Sequence, residues 1–381
     1  MDGAGVMQVS TQDDYVYLDA DKKIEIYKMT AGRYSYNAQT KTIKLFSLEA
    51  TNLNINIKGQ TFKLELYGTS SLEDVDSLSS IVVNGSGSIV VDSMLTIVKP
   101  SGLTVQGGTI DGTISCGWLK MQGGTIKNIN PQYEGMYVTD GDLTMTGGTI
   151  QITGAHAAAI DLYKKVDGKF VGKAVFKGGS VTAKVLNPDS KYAIWAGSIA
   201  NALSCMKEIA GLLSPGAKFK AGKNIYKVID ENKRTVKLFK YHGGEKAVVN
   251  RVSYGRVIYK VTGIGNSAFN TKEGKAVTRL TIKPKVSQIG SKAFYGMSSL
   301  ERLRIPQPYF IERTGKGKTL KLKVRSECSV SKTAFAKCGK NGGKGLVVKL
   351  YSKGVHKSEA STYKKFLASK GLSTNIKLKQ Y

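Results

Sequence analysis

Proline, histidine, cysteine and tryptophan are all scarce in this chain of 381 residues, which contains 7 Pro, 3 His, 4 Cys and 2 Trp. With 43 glycines and so few prolines, the composition predicts many turns between short strands and not a disordered linker protein. The histidines His156, His242 and His356 are scattered, which disfavours a zinc enzyme or a Ser-His-Asp triad. No run of 18 apolar residues occurs, so the sequence predicts no membrane-spanning helix.

The four cysteines have spacings that match no zinc-binding pattern. They are Cys116, Cys205, Cys328 and Cys338. We favour four free buried thiols, because free cysteine packs as a small core residue. A disulfide between Cys328 and Cys338 stays open, since ten residues can close a loop.

A secretory signal peptide is also missing, because residues 1–5 lack the basic and apolar segments of such a leader. Two explanations stay open at this point. The protein is cytosolic, or the chain begins after a leader that has been removed.

Acidic residues are scarce in the second part of the chain. Residues 1–150 hold 11 Lys and Arg against 16 Asp and Glu, whereas residues 151–381 hold 46 against 12, and the whole chain carries +29. This asymmetry predicts two domains with different surfaces. No nucleic-acid-binding motif accompanies the charge, so nucleic acid is disfavoured as a partner, while an anionic polysaccharide or cell surface stays open.

What the sequence has in abundance is internal repetition. A Gly-Gly-Thr-Ile motif ends residues 103–110, 119–126 and 143–150, and a weaker copy ends residues 174–181. Each motif joins two short alternating strands, and glycine permits the sharp corner between them.

These repeats predict a mostly β fold that begins with a right-handed parallel β-helix. Leu103, Val105 and Ile110 are expected to face inward and to stack on equivalent residues of the next rung. An antiparallel β-sandwich is the alternative, which we disfavour because sandwich turns have no reason to repeat one motif.

A second repeat follows, in which residues 261–269 align with residues 286–294 at an offset of 25. This spacing is typical of leucine-rich repeats, so a short leucine-rich-repeat domain is expected. The Ile-Gly turn should lead into a short helical or 3₁₀ segment that buries Phe269 or Phe294. Residues 363–371 predict a closing helical cap.

The predicted domains are residues 1–212, the β-helix, and residues 216–381, the leucine-rich repeats with the C-terminal helical cap. Residues 214–216, Ser-Pro-Gly, form the joint. Residues 199–213 have helical spacing, which predicts a helix that caps the β-helix.

Residues 15–205 resemble a bacterial β-helix family of carbohydrate-binding domain-containing proteins. The resemblance rests on a strand–turn–strand at residues 34–45, on residues 55–59 with 83–90, and on the Gly-Gly-Thr-Ile rungs. Members bind plant-type or acidic polysaccharides, and some carry calcium. The resemblance therefore implies polysaccharide binding and names calcium as the candidate cofactor.

Residues 216–381 are similar to the BspA-like leucine-rich repeats of bacterial surface proteins. The similarity is carried by residues 259–269, 286–294 and 363–372, although only two clean repeats are present. It implies an extracellular adhesin whose partners are a cell-surface glycan or a host matrix protein. It also favours the removed leader and a secreted or cell-surface location.

Sugar binding needs flat aromatic faces beside hydrogen-bonding side chains. The candidate platform is formed by Trp118, beside a rung, and by Tyr133, Tyr137 and Tyr163 in the loops between rungs. Packing under a loop is the alternative for each ring, since large rings bury well. Trp195 is expected in the core.

The candidate calcium ligands are Asp111, Asp140 and Asp142, because calcium prefers several carboxylate and carbonyl oxygens. The alternative, which we favour, is that each Asp in a turn bonds its own backbone.

The sequence predicts a secreted or cell-surface binding protein without catalytic residues, whose ligand is a polysaccharide or a host or matrix glycan. The alternative is a calcium-dependent polysaccharide lyase on the β-helix, with Lys120, Lys127 or Arg33 as the base. No pairing of two carboxylates with a nearby Arg or Lys stands out, which disfavours the enzyme.

Overall fold

The structure, a computed structural model, describes residues 15–129, 135–155, 157–188, 191–305, 311–340, 345–350 and 357–380. Strands account for 54% of the chain and helix for 5%, so the protein is mostly β. Two compact units are present. The first unit contains Met1–Ala217 and Gly255–Val257, and the second contains Lys218–Tyr254 and Ile258–Tyr381.

The first unit opens with antiparallel strands. They are Tyr15–Tyr17, Ile24–Tyr27, Ala31–Asn37 and Thr42–Ile55. Thr42–Ile55 pairs in parallel with the next two strands, Thr61–Tyr67 and Thr69–Ser77. Each later strand of the main sheet pairs in parallel with a strand two or three places further along that sheet, which generates three ladders.

The three ladders run through the rest of the first unit. The first ladder contains Thr61–Tyr67, Ser80–Gly85, Leu103–Val105, Leu119–Met121, Leu143–Met145, Lys173–Phe176 and Ser198–Asn201. The second contains Thr69–Ser77, Ser88–Ile97, Thr109–Cys116, Thr125–Asn128, Thr149–Gly154, Ser180–Val185 and Met206–Ala210. The third ladder begins with the later halves of three long strands, Thr69–Ser77, Ser88–Ile97 and Thr109–Cys116. It continues with Met136–Val138, Ala158–Leu162, Tyr192–Trp195 and Leu212–Leu213.

The inward side chains form one continuous interior. Leu103, Val105 and Ile110 are fully buried, as predicted. Leu119 pairs with Leu103 on one side and with Leu143 on the other, so like residues stack from rung to rung. The parallel pairing contradicts the antiparallel sandwich and gives a large parallel sheet that is nearly closed into a solenoid.

Glycine forms the corners for two separate reasons. The second glycine of each motif has a φ between +64° and +83°; these residues are Gly108, Gly124, Gly148 and Gly179. L-residues with a side chain rarely adopt this conformation. The backbones of successive rungs also approach closely, because a Cβ on Gly148 would lie 2.5 Å from the carbonyl oxygen of Gly123.

The helix predicted over residues 199–213 is wrong. The segment contains the last strands of the three ladders, which end at Asn201, Ala210 and Leu213. Ile199 and Ile209 are buried in strand alternation, so the same apolar residues satisfy a period of two. The strands of the preceding rung have a free edge that supplies backbone hydrogen-bond partners, and pairing with this edge decides that residues 199–213 form strands.

The second unit also combines antiparallel and parallel pairing. Its opening strands are Lys218–Ala221, Asn224–Asp230 and Thr235–Lys240. The fourth ladder contains Thr235–Lys240, Val257–Ile264, Gln288–Ile289 and Ser329–Val330, with Arg251–Tyr254 paired to its second strand. The fifth ladder contains Lys246–Val249, Arg279–Ile282, Arg302–Ile305, Val347–Leu350 and Lys377–Gln380, all parallel.

The remaining elements of the described ranges are two hairpins and short helices. The hairpins are Lys165–Val166 with Lys169–Phe170, and Ile311–Thr314 with Lys321–Val324. The α-helices are Lys272–Lys275 and Ala360–Ala368, and the 3₁₀ turns are Gly317–Thr319 and Lys357–Glu359. In the described part of the chain, no helix has the length and apolar character needed to cross a membrane.

Stacked rings form the core beside the fourth ladder. Phe269 and Phe294 are both fully buried, as predicted, and their ring centroids are 5.3 Å apart. Tyr241 and Phe335 extend the stack at 4.6 and 4.8 Å. The residues around Phe294 form turns and not the helical segment that we expected.

The C-terminal helix buries Tyr363 and Leu367, as its apolar face predicts. Glu359, the residue before this helix, is fully buried and accepts two hydrogen bonds from Arg313 at 2.9 and 3.0 Å. This ion pair joins the helix to the 311–324 hairpin.

No disulfide joins any of the four cysteines, but they are not all buried as expected. Cys116, Cys205 and Cys338 are buried, whereas Cys328 is half-buried.

Candidate ligand-binding surfaces

Three residues occupy one outward row of the third ladder. Tyr137 pairs with Asp161, and Asp161 pairs with Trp195, so the three side chains leave successive rungs at the same position. Strand pairing spaces such positions about 4.8 Å apart. Asp161 is 5% exposed between the two rings. This row therefore sets a carboxylate between two aromatic side chains.

Further rings extend this row into a cluster. Tyr163 follows the Ala158–Leu162 strand, and its ring lies 6.5 Å from that of Tyr137 and 6.0 Å from that of Phe170. Phe170 meets Trp195 edge-on at 5.2 Å, and Tyr192 meets Trp195 at 4.1 Å. We name these five residues, Tyr137, Tyr163, Phe170, Tyr192 and Trp195, the aromatic surface.

Solvent reaches part of the aromatic surface. Tyr163 is 46% exposed, and Phe170 and Trp195 are half-buried. The hairpin that carries Phe170 adds a cation, because the Lys165 ammonium lies 4.5 Å from the centre of the Phe170 ring. Aromatic rings beside charged and hydrogen-bonding groups can hold a ligand that has both apolar faces and polar edges.

Trp118 does not join the aromatic surface. It lies at the corner between the third and first ladders, where Gly102 and Gly141 of the adjacent rungs leave room for it. The Lys120 ammonium lies 4.9 Å from its ring. Among the described residues, no other aromatic ring contacts Trp118. Of the other predicted residues, Tyr133 lies outside the described part of the chain, and so does His156.

Trp195 was expected in the core, and this expectation is wrong. Trp195 is half-buried on the outward row, and its buried neighbour Ile194 points to the other face of the strand. Sequence reasoning also missed Phe170 and Tyr192. Residues 192–195 do not alternate strictly in burial, since Ala193 and Ile194 are both buried, so their local pattern carries no clear signal that Trp195 faces outward.

The three candidate calcium ligands are not brought together. Asp111 forms an ion pair of 2.7 Å with Lys127 on the second ladder. Asp142 accepts a hydrogen bond of 2.9 Å from the Lys173 backbone N–H, and Asp140 is exposed in the same corner. Within the described ranges, no group of three His, Cys, Asp or Glu side chains could hold a metal ion.

The candidate lyase bases are also engaged elsewhere. Lys127 is paired with Asp111, and Lys120 lies over the Trp118 ring. The Arg33 guanidinium lies 5.9 Å from the centre of the Phe46 ring. The three cations thus lie against three different neighbours and do not share one site.

The second unit contains an open groove of about 740 Å³ that no sequence pattern predicted. Five cations line it: Lys233, Arg234, Arg251, Lys260 and Lys285. Lys233 lies 3.5 Å from Asp230. These cations come from separate turns and strands, so only the folded chain gathers them.

Comparisons with protein-family models, with curated proteins and with solved structures return no match to this chain.

Proposed function

We propose that this chain is a non-catalytic binding protein, secreted or at the cell surface, that holds polysaccharide or host and matrix glycans. The first unit would be a right-handed parallel β-helix of the carbohydrate-binding type. The second would be a short BspA-like leucine-rich-repeat domain. The Gly-Gly-Thr-Ile rungs and the repeats around Phe269 and Phe294 support these assignments.

The observation that carries the proposal is the aromatic surface. Sugar rings present apolar C–H faces and polar hydroxyl edges, and partly exposed Tyr and Trp rings are suited to both. Tyr163 is the most exposed ring of the cluster, and Asp161 and Lys165 lie beside the rings. Exposed clustered rings of this kind mark interaction sites more often than isolated surface aromatics do.

A glycan array probed with the full chain tests the proposal, and the variant Tyr163→Ala tests the site. We expect glycan binding that falls about tenfold in Tyr163→Ala, since loss of a contact ring costs about 1.4 kcal/mol or more. Tyr67→Ala is the matched control, because Tyr67 is 37% exposed and stacks 4.9 Å from Phe46 away from the aromatic surface.

Two results would contradict the proposal. One is an equal loss of binding in Tyr67→Ala and Tyr163→Ala. The other is release of new reducing ends or unsaturated products when the bound polymer is incubated with the protein and calcium, which would favour the lyase.

A further inference from the structure

The outward face of the fifth ladder stacks cation upon cation. Strand pairing aligns Lys246, Arg279, Arg302, Val347 and Lys377 in one row. A second row on the same face aligns Val248, Thr281, Arg304, Lys349 and Lys379. Every one of the five strands therefore contributes at least one cation. We name these two rows the cationic face.

The spacing of these charges is set by the backbone. Paired strands lie about 4.8 Å apart, and like charges placed directly opposite each other destabilise a sheet. Arg279 and Arg302 are directly paired, and both are exposed. The intervening inward residues, such as Leu280 and Leu303, are buried, so the arginines have no inward alternative.

The outward charges of the first unit are arranged differently from those of the cationic face. There, opposite charges pair across rungs: Lys44 with Glu65 at 3.3 Å, Asp111 with Lys127 at 2.7 Å, and Lys184 with Glu208 at 2.8 Å. A solvated face needs only mixed signs to stay soluble. The single sign on the cationic face therefore calls for a ligand that supplies the opposite charge.

The acidic residues beside the cationic face offset only part of its charge. Glu245 precedes Lys246, and Glu301 precedes Arg302. Glu301 already pairs with Lys340 at 3.0 Å. The hydrogen bond and charge of Lys340, with smaller contributions from Arg302 and Arg279, hold the pKa of Glu301 below its usual range.

We propose that the cationic face binds a linear anionic polysaccharide along the row of strands. Arginine and lysine side chains recognise carboxylate and sulfate groups by charge-assisted hydrogen bonds. The positions that are not cationic carry Val248, Thr281 and Val347, and none is aromatic. Single-stranded nucleic acid is normally held by stacking on aromatic side chains, so the composition of the face favours a polysaccharide.

The basic groove of the second unit is a weaker candidate. Its cation Lys233 already has a carboxylate partner in Asp230, and its cations come from turns as well as strands. The cationic face instead repeats one spacing over five strands, which suits a polymer with regularly placed charges.

The test compares two triple variants of the full chain. Arg279→Gln, Arg302→Gln and Lys377→Gln together remove three charges from the cationic face. The matched control removes three exposed charges from elsewhere in the second unit through Lys220→Gln, Lys223→Gln and Lys332→Gln. Both variants lose the same net charge, so any difference in affinity between them reports the position of the removed charges.

Binding to sodium polygalacturonate and to dextran sulfate is measured over a range of salt concentrations. We expect the cationic-face variant to lose about tenfold or more in affinity, and its salt slope to fall by about two for three lost contacts. The control should stay within about twofold of the unmodified chain. Far-UV circular dichroism and melting should be retained, since the change relieves repulsion.

Three outcomes would overturn the proposal. They are an equal loss in the control variant, tighter binding of single-stranded oligothymidylate than of both polysaccharides, and tighter binding of phosphatidylserine vesicles. The inference does not depend on the aromatic surface. Tyr163→Ala should leave anionic-polymer binding unchanged, so the two proposals can fail separately.

Discussion

An alanine at Gly148 tests the close approach of backbones between rungs. Gly148 has φ +80°, and an added Cβ would lie 2.5 Å from the Gly123 carbonyl oxygen. The left-handed conformation costs an L-residue about 1–2 kcal/mol. Overpacking against a backbone that cannot move aside costs about 1–3 kcal/mol more. After the offset of about 0.4–1 kcal/mol from the lower entropy of the unfolded chain, we expect Gly148→Ala to lower the free energy of unfolding by about 1–4.5 kcal/mol.

Gly168 provides the matched control. It has φ +73°, but an added Cβ would meet no atom within 4 Å, so Gly168→Ala pays only the conformational cost. Replacing glycine also lowers the entropy of the unfolded chain, which offsets about 0.4–1 kcal/mol in both variants. The difference between the two variants isolates the contact between rungs.

Urea unfolding followed by tryptophan fluorescence suits this comparison. Trp118 and Trp195 are the two tryptophans of the sequence, and both belong to the first unit, so the signal reports on that unit. Equal destabilisation by Gly148→Ala and Gly168→Ala would refute the reasoning, because it would mean that successive corners do not touch.

Two further predictions concern titratable groups. Burial raises the pKa of Cys116 and of Cys338 to about 12, so at pH 8 roughly one thiol in 10⁴ is a thiolate. Iodoacetamide should therefore label the half-buried Cys328 first, and peptide mass spectrometry showing equal labelling of Cys116 in the native chain would contradict this. Burial, with the nearby Asp74 charge, raises the pKa of Asp76 above its ordinary 3.8, even though a hydrogen bond from a threonine lowers it. A raised carboxyl pKa contributes stability at acid pH that is lost as the pH rises through the folded-state value. Asp76→Asn should thus gain stability relative to the unmodified chain as the pH rises from about 4 through the folded-state pKa of Asp76, and an identical pH dependence of the two urea midpoints would count against the assignment.

Local features of the sequence predicted most of the scaffold. A positive φ at Gly148 and inward alternation at Leu103 and Val105 each depend on a few neighbouring residues, so pattern reading found them. Residues 199–213 show the limit of such reading. Their apolar spacing fits both a helix and a strand, and the open edge of the preceding rung decides for strands.

The aromatic surface could be predicted only in part. Tyr137 and Tyr163 were named, and they do lie together, with 6.5 Å between their rings. Trp118 was grouped with them, but among the described residues no ring contact joins it to them, and Trp195 was assigned to the core. Which side chains share a face depends on which strands stack, and the Gly-Gly motifs recur at unequal intervals of 16, 24 and 31 residues. Local patterns do not fix that register.

The longest of these intervals contains the hairpin that completes the aromatic surface. Lys165–Val166 and Lys169–Phe170 form an insertion that a plain rung does not need, and Phe170 contacts both Tyr163 and Trp195. An insertion alone does not indicate a ligand site, because the 311–324 hairpin of the second unit carries Arg313, which pairs with the buried carboxylate of Glu359. The two hairpins differ in how far the side chains of their contacts are exposed to solvent. Our proposal therefore assigns ligand binding to the 165–170 insertion, which leaves rings at the surface, and stabilisation to the 311–324 insertion, which pairs with a buried carboxylate.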